Sequence, residues 1–169
     1  VRPSKGNWPI NVSRYEFLLI GSLQSTGRSP PCCPSSSMRD RRRAQAKKAH
    51  DLMRGDQAVL ITDVVLAETI WTLKGKRYRA VKEDILAVIN GLLAEPNIVF
   101  ENAHVVWSAL NEYRKAKPVK VAGKNRTADY PDALIISKAR YIASRAGGEL
   151  EAVYTFDRAV GQLADAVVL

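Results

Sequence analysis

Between residues 58 and 169, short apolar runs rich in β-branched residues alternate with longer segments of helical period, and that alternation leaves few folds open. "AVLIT" (58–62), "NIVFE" (97–101), "EAVYTF" (151–156) and "AVVL" (166–169) have the length and composition of buried strands. Between them, "DVVLAETIWTLKGK" (63–76) reads as a helix that is apolar nearly all round. "RAVKEDILAVINGLLAE" (79–95) reads as an amphipathic helix stopped before Pro96. "AHVVWSALNEYRKA" (103–116) follows Asn102, a suitable cap, and "DRAVGQLA" (157–164) is long enough for a short helix. Strands separated by helices predict an α/β protein with a mostly parallel central sheet, whose ligands gather beyond the carboxyl ends of the strands.

The beginning of the chain reads differently. Residues 1–37 hold five of the eight prolines, and "STGRSPPCCPSSS" (25–37) has turn and breaker composition. "YEFLLIG" (15–21) has the makings of one short strand. From Met38 the texture changes to "MRDRRRAQAKKAHDLMRG", a strong helix former closed by Gly55. The expected division is therefore an atypical segment, 1–37, and a folded domain, 38–169.

Charge narrows the function. The formal net charge is +9. Residues 1–58 carry 11 Lys/Arg and 4 Asp/Glu, a net of +7, whereas residues 59–169 carry 15 and 13, a net of +2. A basic excess favours an anionic partner, nucleic acid first. The acids crowd into the later part, so anion binding is not its whole business. The two cysteines, Cys32 and Cys33, are adjacent and make neither a disulfide framework nor a metal-ligand spacing. No apolar run approaches the roughly 20 residues of a membrane span, and the run at 17–20 is too short for a signal-peptide core, so a cytoplasmic protein is expected.

Four acids stand where an α/β site would form. In "TADYPDALIISKAR" (127–140), Pro131 suits a first helical turn, and Asp132 heads a helical stripe of Ile135, Ile136, Ala139, Ile142 and Ala143 that is expected to face the core. Asp129 precedes it by about a turn. Glu68 has Val64, Val65, Trp71 and Thr72 as helical neighbours, so a buried carboxylate in need of a partner is expected there. Asp157 directly follows "AVYTF", at a strand's carboxyl end. Capping explains Asp129, Asp132 and Asp157 equally well from spacing alone, and an ion pair explains Glu68. If the acids converge, their mutual repulsion requires a cation. All-oxygen donors select Mg²⁺ or Mn²⁺, and a hard metal in a basic protein points to phosphodiester chemistry.

On the stretches "ITDVVLAETIWTL" (61–73), "ADYPDALIISKAR" (128–140) and "VYTFDR" (153–158), the sequence resembles PIN-domain proteins of the kind found as VapC toxins in bacterial toxin–antitoxin pairs. Their order and spacing match across roughly residues 44–169. The resemblance implies a three-layer α/β/α sandwich and a Mg²⁺- or Mn²⁺-dependent endoribonuclease, usually a homodimer held in check by a cognate antitoxin. It gives catalytic, metal-holding roles to Glu68, Asp132 and Asp157, a further metal contact to Asp129, and an accessory polar role to Thr155. One element departs from the pattern. PIN domains open with a strand ending in a metal-binding aspartate, and here "SPPCCPSSSMRDRRR" (29–43) offers no apolar strand and no acid before Asp40. The abrupt change near 38–45 is what a shifted reading frame produces; no apolar strand ending in Asp in either alternative frame of the coding DNA would remove that explanation. The alternative function is an inactive PIN-like module that binds RNA or an antitoxin.

The segment 114–126 carries Arg114, Lys115, Lys117, Lys120, Lys124 and Arg126 with no acid among them. It is expected to be a basic loop, with Lys117, Lys120, Lys124 and Arg126 placed to hold RNA phosphates. A solvated loop without a ligand is the plainer alternative. "RDRRR" (39–43) offers a second basic surface. Trp71 and Trp107 are expected in the core. His50 and His104 stand alone and are read as structural or surface residues.

Overall fold

The computed structural model describes residues 58–169 together with Asp40, Arg43, Ala44, Lys47, Asp51, Gly55 and Asp56. The expected strand at 15–21, the cysteines and His50 lie outside the described residues. The described positions between 40 and 51 are helical, as their composition predicts. The chain divides into two compact units, Val1–Glu101 and Asn102–Leu169.

In the first unit, β1 (Val59–Ile61) pairs in parallel with β2 (Ile98–Phe100), in the register Val59 with Ile98, Leu60 with Val99 and Ile61 with Phe100. Val59, Ile61 and Phe100 are buried, the alternation a strand with one covered face demands. Thr62 ends β1 and caps α1 (Asp63–Lys74), its hydroxyl accepting from Val65 N at 3.4 Å. Glu101 lends a second cap, accepting from Asp63 N at 3.2 Å. Helix α1 buries Val65, Leu66, Thr69, Ile70 and Leu73, and Thr69 satisfies its buried hydroxyl by donating to Val65 O at 2.7 Å. Helix α2 (Lys82–Ala94) buries Ile85, Ile89 and Leu92, a single stripe at helical spacing. Its first turn is fixed by Asp84, which accepts from Val81 N at 3.0 Å.

In the second unit, Asn102 caps α3 (Ala103–Lys115) by accepting from Val105 N at 3.1 Å. Helix α3 packs against α4 (Tyr130–Arg145) through Val105, Val106, Ala109, Leu110 and Tyr113. Among the described residues, Tyr130 is the largest wholly buried side chain. Its ring meets Tyr113 edge-on at 6.0 Å, and its hydroxyl donates to Val106 O at 3.3 Å. Strand β5 (Val153–Thr155) pairs in parallel with β6 (Ala166–Val168), and a short 3-10 turn, Val160–Gln162, lies between them in sequence. Asp165, at φ 65°, is held by Arg140 of α4, whose Nη2 and Nε both reach its Oδ2 at 2.8 Å. The same guanidinium lies 3.8 Å from Glu112 of α3.

Alternating strands and helices with parallel pairing are thus present, as expected. Among the described residues the strands form three two-stranded sheets rather than one continuous sheet. The third sheet corrects the sequence reading. The basic segment is not a loop but an antiparallel hairpin, β3 (Val119–Val121) and β4 (Lys124–Arg126), in the register Val119 with Arg126, Lys120 with Asn125 and Val121 with Lys124. The turn is Ala122-Gly123, both in the left-handed region at φ 48° and 76°. Two positive-φ residues give a tight hairpin the twist its strands need. No helix among the described residues is long and apolar enough to cross a membrane.

Three other expectations are overturned by helix azimuth. Trp71 and Trp107 are 52% and 57% exposed rather than in the core. At about 100° per residue, both lie more than about 120° from the centre of the buried face of their helices. Glu68 is exposed too, on the outward side of α1 with Val64 and Trp71, so no charge is buried there. In α4 the buried face is Tyr130, Pro131, Ala133, Leu134, Ile136 and Ser137; of the stripe headed by Asp132 only Ile136 is buried, Asp132, Ala139 and Ala143 are partly buried, and Ile135 and Ile142 are exposed.

Candidate nucleic-acid interface and acidic residues

The hairpin sets the charge of the second unit's surface. Lys117, Lys120, Lys124 and Arg126 are all exposed, as are Arg114 and Lys115 at the end of α3. Strand alternation splits the hairpin residues between its faces: Lys120 shares one face with Asn125, while Lys124 and Arg126 share the other with Val119 and Val121. Cations on both faces of a narrow ribbon are poorly neutralised by neighbours and well placed to meet a polyanion.

The ribbon leads through Thr127 and Ala128 into α4, where Asp129 is the cap residue and Pro131 lies in the first turn. The Asp132 carboxylate reaches back so that its Oδ2 accepts from Asp129 N at 2.8 Å, a capping bond that orients both residues at the helix start. Both are partly buried. Asp157 is exposed just beyond β5. Its Oδ1 accepts from Ala159 N at 2.8 Å, and its own N–H donates to Thr155 Oγ1 at 3.1 Å. Thr155 and Asp157 are therefore brought together, as are Asp129 and Asp132. Glu68 belongs to the first unit, halfway along α1.

Each acid sits on the element that the sequence assigns to it. Carboxylate oxygens are the donors Mg²⁺ and Mn²⁺ take, so the donor chemistry fits. The grouping does not: within either unit, among the described residues, no three His, Cys, Asp or Glu side chains are gathered so as to hold an ion. Asp132 Oδ2 makes a helix-cap bond and Asp157 Oδ1 a turn bond.

No family model, curated protein or solved structure matches this chain.

Sequence reasoning missed the exposed aromatic residues that precede Asp157. Tyr154 and Phe156 flank Thr155 and precede Asp157, and both are exposed. The signal was present in the alternation of "VYTFD", which sets the aromatic residues and the polar residues on opposite parities.

Proposed function

We propose that this chain acts on RNA as a VapC-type PIN-domain endoribonuclease, hydrolysing phosphodiester bonds with the help of Mg²⁺ or Mn²⁺. The observation that carries the reading is the basic hairpin running straight into a helix that opens with Asp129 and Asp132. A cationic ribbon collects a polyanion, and carboxylates in the next turn are the donors that a phosphate-activating cation takes. The assembled form belonging to this proposal is a three-layer α/β/α sandwich around one mostly parallel sheet, a homodimer regulated by an antitoxin. Within the second unit, Asp129 and Asp132 at the start of α4 and Asp157 beyond β5 are the carboxylates offered to the ion, which would supply Lewis acidity and a more acidic water when bound. Thr155 orients the Asp157 backbone through the bond from its amide. Lys117, Lys120, Lys124 and Arg126 bind phosphates along the strand.

A second reading, a PIN-like module that binds RNA or an antitoxin without cutting, is favoured by one observation. Asp132 and Asp157 each already commit an oxygen to a backbone amide. Incubating purified protein with RNA in Mn²⁺ and in EDTA separates the two: cleavage only with the metal supports the enzyme, and intact but bound RNA supports the module.

Both readings rest on the hairpin. The double variant Lys120→Glu, Lys124→Glu is expected to weaken RNA binding. It is also expected to make the fall of log affinity with log salt shallower, by about 0.7 for each phosphate of a single strand that the protein no longer neutralises. An unchanged slope would mean that RNA binds elsewhere.

A further inference from the structure

We propose that Tyr154 and Phe156 form a stacking platform for unpaired RNA bases. This rests on the RNA reading above and deepens it, because it fixes the substrate as single-stranded. The two rings stand two residues apart at the carboxyl end of β5, and they are 60% and 85% exposed. A phenylalanine ring left in water forgoes the burial that holds most such rings inside. Strand alternation turns Tyr154 away from Val153 and Thr155 and sets it beside its β6 partner Val167, which is also exposed. The result is one exposed ring on the sheet and a second, Phe156, exposed just beyond the strand's end, akin to the exposed aromatics on which sheet-based RNA readers stack bases.

Charge selects the occupant. Arg158, two residues beyond Phe156, is exposed, so a guanidinium that can take a backbone phosphate flanks the rings. Asp157 lies between them in sequence, but its Oδ1 is tied back to Ala159 N. The second unit carries ten Lys/Arg against seven Asp/Glu, a net of +3, and its hairpin cations are exposed. Apolar rings beside a cation, on a net-basic unit, suit stacked bases with phosphates better than a purely apolar protein surface. Every base has a π face, so stacking of this kind tolerates sequence.

The test is fluorescence anisotropy in EDTA, which keeps cleavage out of the measurement, using an unstructured single-stranded oligoribonucleotide and a blunt RNA duplex of equal length. The double variant Tyr154→Leu, Phe156→Leu keeps apolar bulk and removes both rings. It is expected to bind the single strand about tenfold or more weakly than wild type, and the duplex within about twofold. The variant Phe156→Tyr keeps a ring and is expected to retain single-strand affinity, which separates lost stacking from lost folding. Unchanged single-strand affinity in the Leu variant, or an equal loss on the duplex, overturns the platform. If the hairpin variant loses single-strand binding and the Leu variant does not, this inference alone fails. Wild-type protein that binds neither RNA takes the RNA reading down with it.

Discussion

Replacing Asp132 with Asn is expected to lower metal-stimulated RNA cleavage by at least about 100-fold, the lower bound typical of losing a positioned proton-handling or charge-bearing group, while leaving the fold in place. The side chain does two jobs that this substitution separates. Asn keeps an oxygen that can accept from Asp129 N, the 2.8 Å bond that secures the start of α4. It discards the negative charge that attracts a cation. Asp132→Ala discards both, and is expected to cost about 1 kcal/mol of stability besides. Cleavage kinetics under saturating Mn²⁺ and thermal unfolding of the same preparations give both answers. An Asn variant that cuts at the wild-type rate removes Asp132 from the site. Equal loss of melting temperature in both variants would mean that the charge, not the hydrogen bond, supports the helix start.

The largest loss of stability is expected at Tyr130. Its ring is wholly buried between α3 and α4, edge-on to Tyr113, and its hydroxyl donates to Val106 O. Tyr130→Ala removes the ring and leaves a cavity the neighbouring helices cannot fully close, at a cost of about 3–5 kcal/mol by analogy with other large aromatic truncations. That is a large fraction of the total stability of an ordinary domain. Tyr130→Phe removes only the hydrogen bond, and about 1 kcal/mol is expected. Trp107→Ala is the control. Its ring is exposed on the far side of α3, so the change should stay within about 0.5 kcal/mol. Urea unfolding at constant m-value measures all three. A Trp107 variant more damaged than the Tyr130 variant would mean that α3 packs through its other face.

The same pair of residues shows what was legible in the sequence. The strands and helices could be read because each combines the right length with its own stop signal: Thr62 before α1, Pro96 after α2, Asn102 before α3. The helical, amphipathic character of α2 could be read as well, but Leu86, Val88 and Leu93 are apolar too, and packing chose Ile85, Ile89 and Leu92. In α1 and α4 the orientation could not be read. α1 is apolar nearly all round, and α4 carries isoleucines on two sides, so hydrophobicity alone does not say which side packs. Tertiary packing chose, and it turned Trp71, Ile135 and Ile142 outward. The hairpin was hidden for another reason. Its turn is Ala-Gly rather than the Asn-Gly or Asp-Gly that announces a tight hairpin, and charge masked the alternation of Val119 and Val121 with lysines. Of the candidate site, the placement of Asp129 and Asp132 at a helix start, of Asp157 at a strand end and of Glu68 within α1 was legible. Whether those ends meet depends on long-range packing that local sequence does not encode.

Arg140 ties three parts of the second unit through one side chain: α4, which bears it, α3 through Glu112, and the residue that launches β6 through Asp165. Strand β6 is also held by its backbone pairing with β5, so Arg140 adds a charged link to a neutral one. The pair is partly exposed, so added salt screens it, whereas the apolar seam between α3 and α4 does not depend on charge. Added salt is therefore expected to loosen the hold on the Asp165 turn while the β5–β6 pairing and the α3–α4 seam stay in place, a difference that amide exchange at Asp165 would read.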